Sequence, residues 1–154
     1  MLRLINATTR QDLDIIRELF REYEKFLGFG LCFQGFENEL AGLPGNYAPP
    51  EGRLIIAKYD SEAAGCIALK KIGEGVCEMK RLYVRPKFRG KKIGRQLAEK
   101  IIAEAKLIGY KKMRLDTLRR LNEAVTLYRS LSFREIQPYV FNPHEDAVYM
   151  EIDL

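Results

Sequence analysis

The stretch Arg85–Gly94, RPKFRGKKIG, holds five basic residues and two glycines and no acid. Widened to Lys80–Arg95 it holds eight basic residues and still no acid. Cations at this density ask for an anionic partner. Glycine lets the backbone turn so that successive N–H groups can point one way. Just beyond, Ile93, Leu97, Ile101, Ala105 and Ile108 recur at helical spacing, so a helix is expected to open where the basic run ends. A helix start offers unpaired N–H groups and the positive end of its dipole. The combination predicts a phosphate-binding turn, with Arg89, Lys91, Lys92 and Arg95 adding charge around it. It is not a Walker loop, because GxxxxGK followed by Ser or Thr is absent, and it is not GxGxxG.

The elements that must position this turn follow from apolar periodicity. Leu13, Ile16, Phe20, Tyr23 and Leu27 mark an amphipathic helix after the turn-prone Thr8-Thr9, with Asp12 in its first turn. A Gly- and Pro-rich segment follows, yet Phe29, Phe33, Phe36 and Tyr47 within it point to a packed loop with a short helix near Phe36–Leu43. Arg53–Tyr59, Ala64–Lys71 and Val76–Val84 are strand-like and separated by turn signals at hairpin spacing, predicting an antiparallel meander. The helix over Ile93–Ile108 ends at Gly109; KKMRLDTL reads as a strand; Asn122, read as an N-cap, opens a shorter helix. SFREIQPYVF and AVYMEIDL close the chain as two strands. The expected fold is a mixed α+β domain spanning residues 1–154, a sheet with helices on its faces and no internal repeat.

Composition sets the bounds. The 154 residues are 47% hydrophobic and 31% charged, which describes a globular chain of a size to bury one core. No apolar run approaches the roughly 18–20 residues that span a bilayer, so no membrane partner is expected. The start, MLRLINATTRQDLD, lacks a signal-peptide apolar region, and a cytoplasmic location is expected. Cys32, Cys66 and Cys77 form no CxxC and read as buried thiols in a reducing compartment. The single histidine, His144, has no companion ligand, so no metal is expected. The net charge of +5 is concentrated in the second half: residues 1–77 carry 9 Lys/Arg against 11 Asp/Glu, and residues 78–154 carry 17 against 10. A nucleic-acid partner is disfavoured, since only Tyr83 and Phe88 lie near the basic run and no nucleic-acid motif is present.

The strand, turn and helix EMKRLYVRPKFRGKKIGRQLAEKII, followed by NEAVTLYRSLSF, resemble the GNAT (Gcn5-related) N-acetyltransferases over about Leu54–Phe133. The family's signature (Gln or Arg, two variable residues, Gly, one variable residue, Gly or Ala) falls on Arg89–Gly94, with Lys92 where the central glycine usually stands. The resemblance implies a central, mostly antiparallel sheet with acetyl-CoA as cosubstrate in the splay between two central strands. It implies pyrophosphate on the backbone of Arg89, Gly90, Lys91, Lys92, Ile93 and Gly94 with Arg95 nearby, pantetheine along Leu82, Tyr83 and Val84, and Asn122 facing the cofactor.

Acetyl transfer to an amine needs a neutral amine, a stabilised oxyanion and a protonated leaving thiolate. The resemblance puts Tyr128 where a phenol donates to the thiolate, and a core tyrosine is the alternative. It puts Glu78 at the position of a general base. Strand alternation sets Glu78 on one face with Lys80 and Leu82, and an exposed strand glutamate paired with Lys80 or Arg81 is the alternative. Cys77 as an acetyl-carrying nucleophile would point to the opposite face. The resemblance brings the acceptor, a small amine or an amino terminus, in beside Phe33, Gln34, Glu37, Tyr139 and Asn142, with Glu37 or Glu39 attracting a cation. A module that binds acetyl-CoA without transferring it is the competing function, and a homodimer is compatible with either.

Overall fold

The computed structural model describes residues 1–31 and 35–154. In chain order the described elements are β1 (Leu2–Asn6), α1 (Arg10–Leu27), α2 (Phe36–Ala41), β2 (Arg53–Tyr59), β3 (Glu62–Gly73), β4 (Val76–Val84), α3 (Ile93–Ile108), β5 (Lys112–Leu118), α4 (Asn122–Ser130), β6 (Arg134–Ile136) and β7 (Ala147–Asp153). The strands form one sheet in the order β1-β2-β3-β4-β5-β7-β6. Every junction is antiparallel except β4–β5, which is parallel. This is the mixed, mostly antiparallel architecture expected from the sequence. No helix among the described residues is long and apolar enough to cross a membrane.

Alternation along the strands feeds two cores. On one face Ile55, Ile67, Leu69, Met79, Met113 and Leu115 pack under α3 through Ile93, Leu97 and Ile101. On the other, Ile56, Cys66 and Ala68 meet Ile16, Leu19 and Phe20 of α1 and Phe36 and Leu40 of α2. α1 begins with a capping box: Thr9 Oγ1 accepts from the Asp12 N–H at 3.1 Å while the Asp12 carboxylate accepts from the Thr9 N–H. α3 ends at Gly109 in the left-handed region, φ 108°.

Three local readings need correction. β1, five residues at the amino terminus, pairs with Ile55–Tyr59 of β2, a partner about 50 residues away that short alternation alone does not announce. The stretch SFREIQPYVF contributes only Arg134–Ile136 to the sheet; the next residues include Pro138, which has no N–H for a ladder. Asn122 is not the cap of α4 but its first residue. Leu121 stands at the N-cap, and no side chain caps that end.

The fourth difference shapes the site. Cys66 pairs with Tyr83 and Ala68 with Lys80, so two residues of β4, Arg81 and Leu82, oppose one residue of β3. Arg81 takes φ 62°, the left-handed region that a bulky side chain normally avoids. The bulge reverses the alternation: Met79 and Leu82 pack toward the α3 core, Tyr83 toward the α1 core. Glu78 and Lys80, partners of Lys70 and Ala68, stay on the α1 face, so Leu82 does not share a face with Glu78 as simple alternation predicted.

Candidate active site

β4 and β5 pair only through Val76–Glu78 and Lys112–Arg114. Beyond Glu78 the strands diverge, so the β5-facing edge of β4 from Met79 onward has no strand partner. A cleft of about 710 Å³ occupies this splay and continues to the start of α3. Leu82, Tyr83 and Val84 form one wall, and Arg89, Gly90, Lys92, Ile93 and Gly94 form its end. Asn122 and Tyr128 of α4 close the far side. Nine of the eleven residues expected at a cofactor therefore border one cleft; Lys91 and Arg95 do not.

The turn into α3 is built as a donor site. Gly90 (φ 86°) and Lys92 (φ 61°) both sit in the left-handed region, and no side chain caps the helix. The backbone N–H groups of residues 90–95 find no acceptor among the described residues. The cations of the run are less available than their number suggested. Arg85 bonds Glu22 at 2.8 Å, and Lys87 bonds Glu62 at 2.9 Å. Lys91 lies 4.9 Å over the Tyr59 ring, and Arg95 reaches Ser130 Oγ at 2.6 Å. Arg89 donates to the Val84 carbonyl at 3.1 Å and lies over the Phe26 ring. Arg120, not anticipated from sequence, adds a cation to the cleft wall.

Tyr128 is 7% exposed and packs edge-on to Phe133 at 5.8 Å, yet it also borders the cleft. Burial, reinforced by Tyr23 and Asp116, pushes its phenol up, so it holds its proton at neutral pH. Its hydroxyl makes no hydrogen bond among the described residues. Glu78 is placed differently. It is 2% exposed, accepts a 2.7 Å hydrogen bond from the Tyr139 hydroxyl, and lies 3.7 and 3.8 Å from the ammonium groups of Lys70 and Lys80. It borders neither the cleft nor the smaller pocket described next. Cys77 is buried in the α3 core, and burial pushes its thiol up to about 12, the wrong direction for a nucleophile.

A pocket of about 50 Å³ opens between the diverging strands on the α1 side. It shares Tyr23, Leu82, Thr117, Leu121 and Tyr128 with the larger cleft, so the two spaces adjoin at these residues. Asn142 and Asp116 line it, joined by a 3.1 Å hydrogen bond. Tyr139 stands behind it, bound to Glu78 and under the Arg114 guanidinium. Glu37 is exposed and paired with Arg21, away from the pocket. Glu39 is committed to the buried Arg81 through two 3.0 Å bonds. Burial opposes the Arg81 charge, but the Glu39 hydrogen bonds outweigh it and the guanidinium pKa is raised. Phe33, Gln34 and Cys32 lie outside the described residues. Asp116, like Arg120, was missed by sequence reasoning: in KMRLDTL it reads as the exposed half of a strand, and it borders a pocket because β4 pairs with β5 only as far as Arg114.

The comparisons with known proteins agree with this geometry. Residues 13–133 match the profile of the acetyltransferase (GNAT) family. An uncharacterized N-acetyltransferase of Schizosaccharomyces pombe is 43% identical over 94% of this chain and 90% of its own length. An IAA acetyltransferase of Azospirillum brasilense is 31% identical over 90% of each chain. A GNAT acetyltransferase structure from Staphylococcus aureus superposes with TM-score 0.82 at 21% identity, covering 99% of both chains. The PaiA N-acetyltransferase of Thermoplasma acidophilum, solved in complex with coenzyme A, superposes with TM-score 0.75 at 22% identity over 100% of this chain and 99% of its own. With a splayed sheet, an uncapped helix start behind a basic turn, and a family match over most of its length, this chain belongs to the GNAT acetyltransferase family.

Proposed function

We propose that the protein moves an acetyl group from acetyl-CoA to the amine of a small molecule or an amino terminus, by direct attack within a ternary complex. The observation that carries this reading is the wall that the two spaces share at Tyr128. One is long and ends on N–H groups with no acceptor among the described residues, fitting a phosphorylated cosubstrate; the other is small and polar, fitting an amine. The unpartnered N–H groups of residues 90–95 would hold the pyrophosphate, helped by Arg89 and Lys92. The unpaired edge of β4 would hold the pantetheine amides as an added strand. Tyr128, kept protonated by burial, would donate to the departing thiolate.

Initial rates of thiol release, measured while both substrates are varied, test the route. A ternary complex gives intersecting reciprocal plots and an acetylated amine detectable by mass spectrometry. Parallel plots would mean a covalent acetyl-enzyme. Acetyl-CoA binding with no transfer to any amine would replace catalysis by binding alone.

A further inference from the structure

We propose that Asp116 receives the acceptor: its carboxylate docks the ammonium group of a cationic primary amine on an apolar stem and takes up one of its protons. This rests on the acetyl-transfer reading above. Asp116 lies half-buried on β5, where the splay exposes it to the small pocket. Its one hydrogen bond among the described residues comes from the neutral Asn142 amide, and it has no ion pair there within 4.0 Å. Glu78 contrasts with it, held by two lysines and a tyrosine hydroxyl. Lys80 and Arg81 also line the pocket, but Glu78 lies beside Lys80 and Glu39 holds Arg81, and a carboxylate with no direct ion pair attracts a cation more strongly than one already paired.

Asp116 is one of the pocket's lining residues, and its charge reaches groups on several elements. Its charge is felt by Tyr23 on α1, Tyr128 on α4, Tyr139 in the loop before β7, Tyr149 on β7 and Lys80 on β4, in each case after the larger effect of burial. Tyr128 shares the pocket, so an amine held at Asp116 sits next to the residue that faces the leaving group. Besides the cations Lys80 and Arg81, the walls include Tyr23, Phe29 and Leu31, which suit an alkyl or aromatic stem and can face an ammonium group with ring surfaces. Room for a few water-sized groups is enough for the amine end and not for a bulky acceptor.

The proton count closes. An alkyl amine arrives as R–NH3⁺, because its pKa, like that of lysine, lies near 10. Asp116 takes one proton, and the lone pair so exposed attacks the thioester carbonyl carbon. The C–N bond forms as the carbonyl π pair moves to oxygen; the pair returns, the C–S bond breaks and the thiolate leaves. Tyr128 gives the thiolate a proton and is made whole by the one lost from the tetrahedral nitrogen. Asp116 releases its own proton to solvent.

The test uses the full chain with acetyl-CoA and six probes: n-butylamine, phenethylamine, tyramine and spermidine as cationic amines, aniline and hydroxylamine as neutral ones. Transfer should be confined to cationic probes and favour those with apolar stems. Asp116→Asn should lower kcat/KM on the order of 100-fold, with KM for the amine rising, while acetyl-CoA affinity and melting temperature hold. Asp116→Glu should recover part of the loss. Asn142→Leu removes the hydrogen bond that aims Asp116 and should raise KM for the amine without moving that for acetyl-CoA, so the inference survives a poorly folding Asn variant. Transfer only to aniline or hydroxylamine, or an Asp116→Asn enzyme within about two-fold of the parent, would overturn the inference and leave acetyl transfer standing. Acetyl-CoA binding with no transfer to any probe would sink both.

Discussion

At the scale of single residues, the difference between Tyr128 and Glu78 is one of available hydrogen bonds. The Tyr128 hydroxyl has none among the described residues and borders the cleft, whereas Glu78 is surrounded by Tyr139, Lys70 and Lys80. Tyr128→Phe removes an oxygen that holds nothing in the fold, so melting temperature and acetyl-CoA affinity should barely change. Turnover should fall by roughly ten- to ten-thousand-fold, since proton transfer from a placed side chain is commonly worth about 10²–10⁴ and a thiolate is already a fair leaving group. Steady-state rates with any accepted amine decide it, and a variant at full speed would return Tyr128 to the core. The expected residues that do border the cleft come from one contiguous motif, Leu82–Gly94, and from Asn122 and the tyrosine six positions past it, whereas Arg120 lay outside those patterns. Asp116 was not legible in the sequence, because nothing local distinguishes an inward carboxylate in a splayed strand from an outward one in a paired strand.

Among the elements, β4 matters most. Its bulge at Arg81 ends the regular ladder where β5 departs, and it turns Leu82 toward the cleft. No glycine, proline or asparagine marks it, so it could not be read from turn chemistry. What holds it is Glu39, 42 residues earlier, which grips the Arg81 guanidinium while the Phe36 ring lies 5.3 Å beneath. The α2 segment is thereby a clamp on the site. Glu39→Gln would leave Arg81, whose side chain is 3% exposed, without its buried counter-ion. Breaking a buried pair from one side costs roughly 3–5 kcal/mol, and that loss should show in denaturant unfolding. Acetyl-CoA affinity should fall with it, because the β4 edge loses its shape; an unchanged unfolding midpoint would mean that the bulge stands without the clamp. By contrast the meander over β2–β4, the Thr9–Asp12 cap and the Gly109 stop followed from local pattern alone, since each depends on residues within a few positions of one another.

For the whole molecule, three cations in and just before the basic run are answered by acids of the first half. Arg85 meets Glu18 and Glu22 of α1, Lys87 meets Glu62 of β3, and Arg81 meets Glu39. A count along the chain cannot show this, because every pair is separated by 25 or more residues. What remains at the cleft is a small set of cations beside six backbone N–H groups that have no acceptor among the described residues. Gly94 offers a way to probe it without damaging the fold, since a Cβ there would meet nothing closer than Val84 Cγ2 at 3.8 Å. The most direct measurement is a calorimetric titration of the protein with acetyl-CoA and with S-acetylpantetheine, which keeps the thioester and lacks every phosphate. Acetyl-CoA should bind far more tightly, its advantage should shrink as salt rises, and Gly94→Val should remove most of it while the melting temperature holds. Equal affinity for the two ligands, or a Gly94→Val protein that binds acetyl-CoA as the parent does, would contradict the placement of the phosphates at the start of α3.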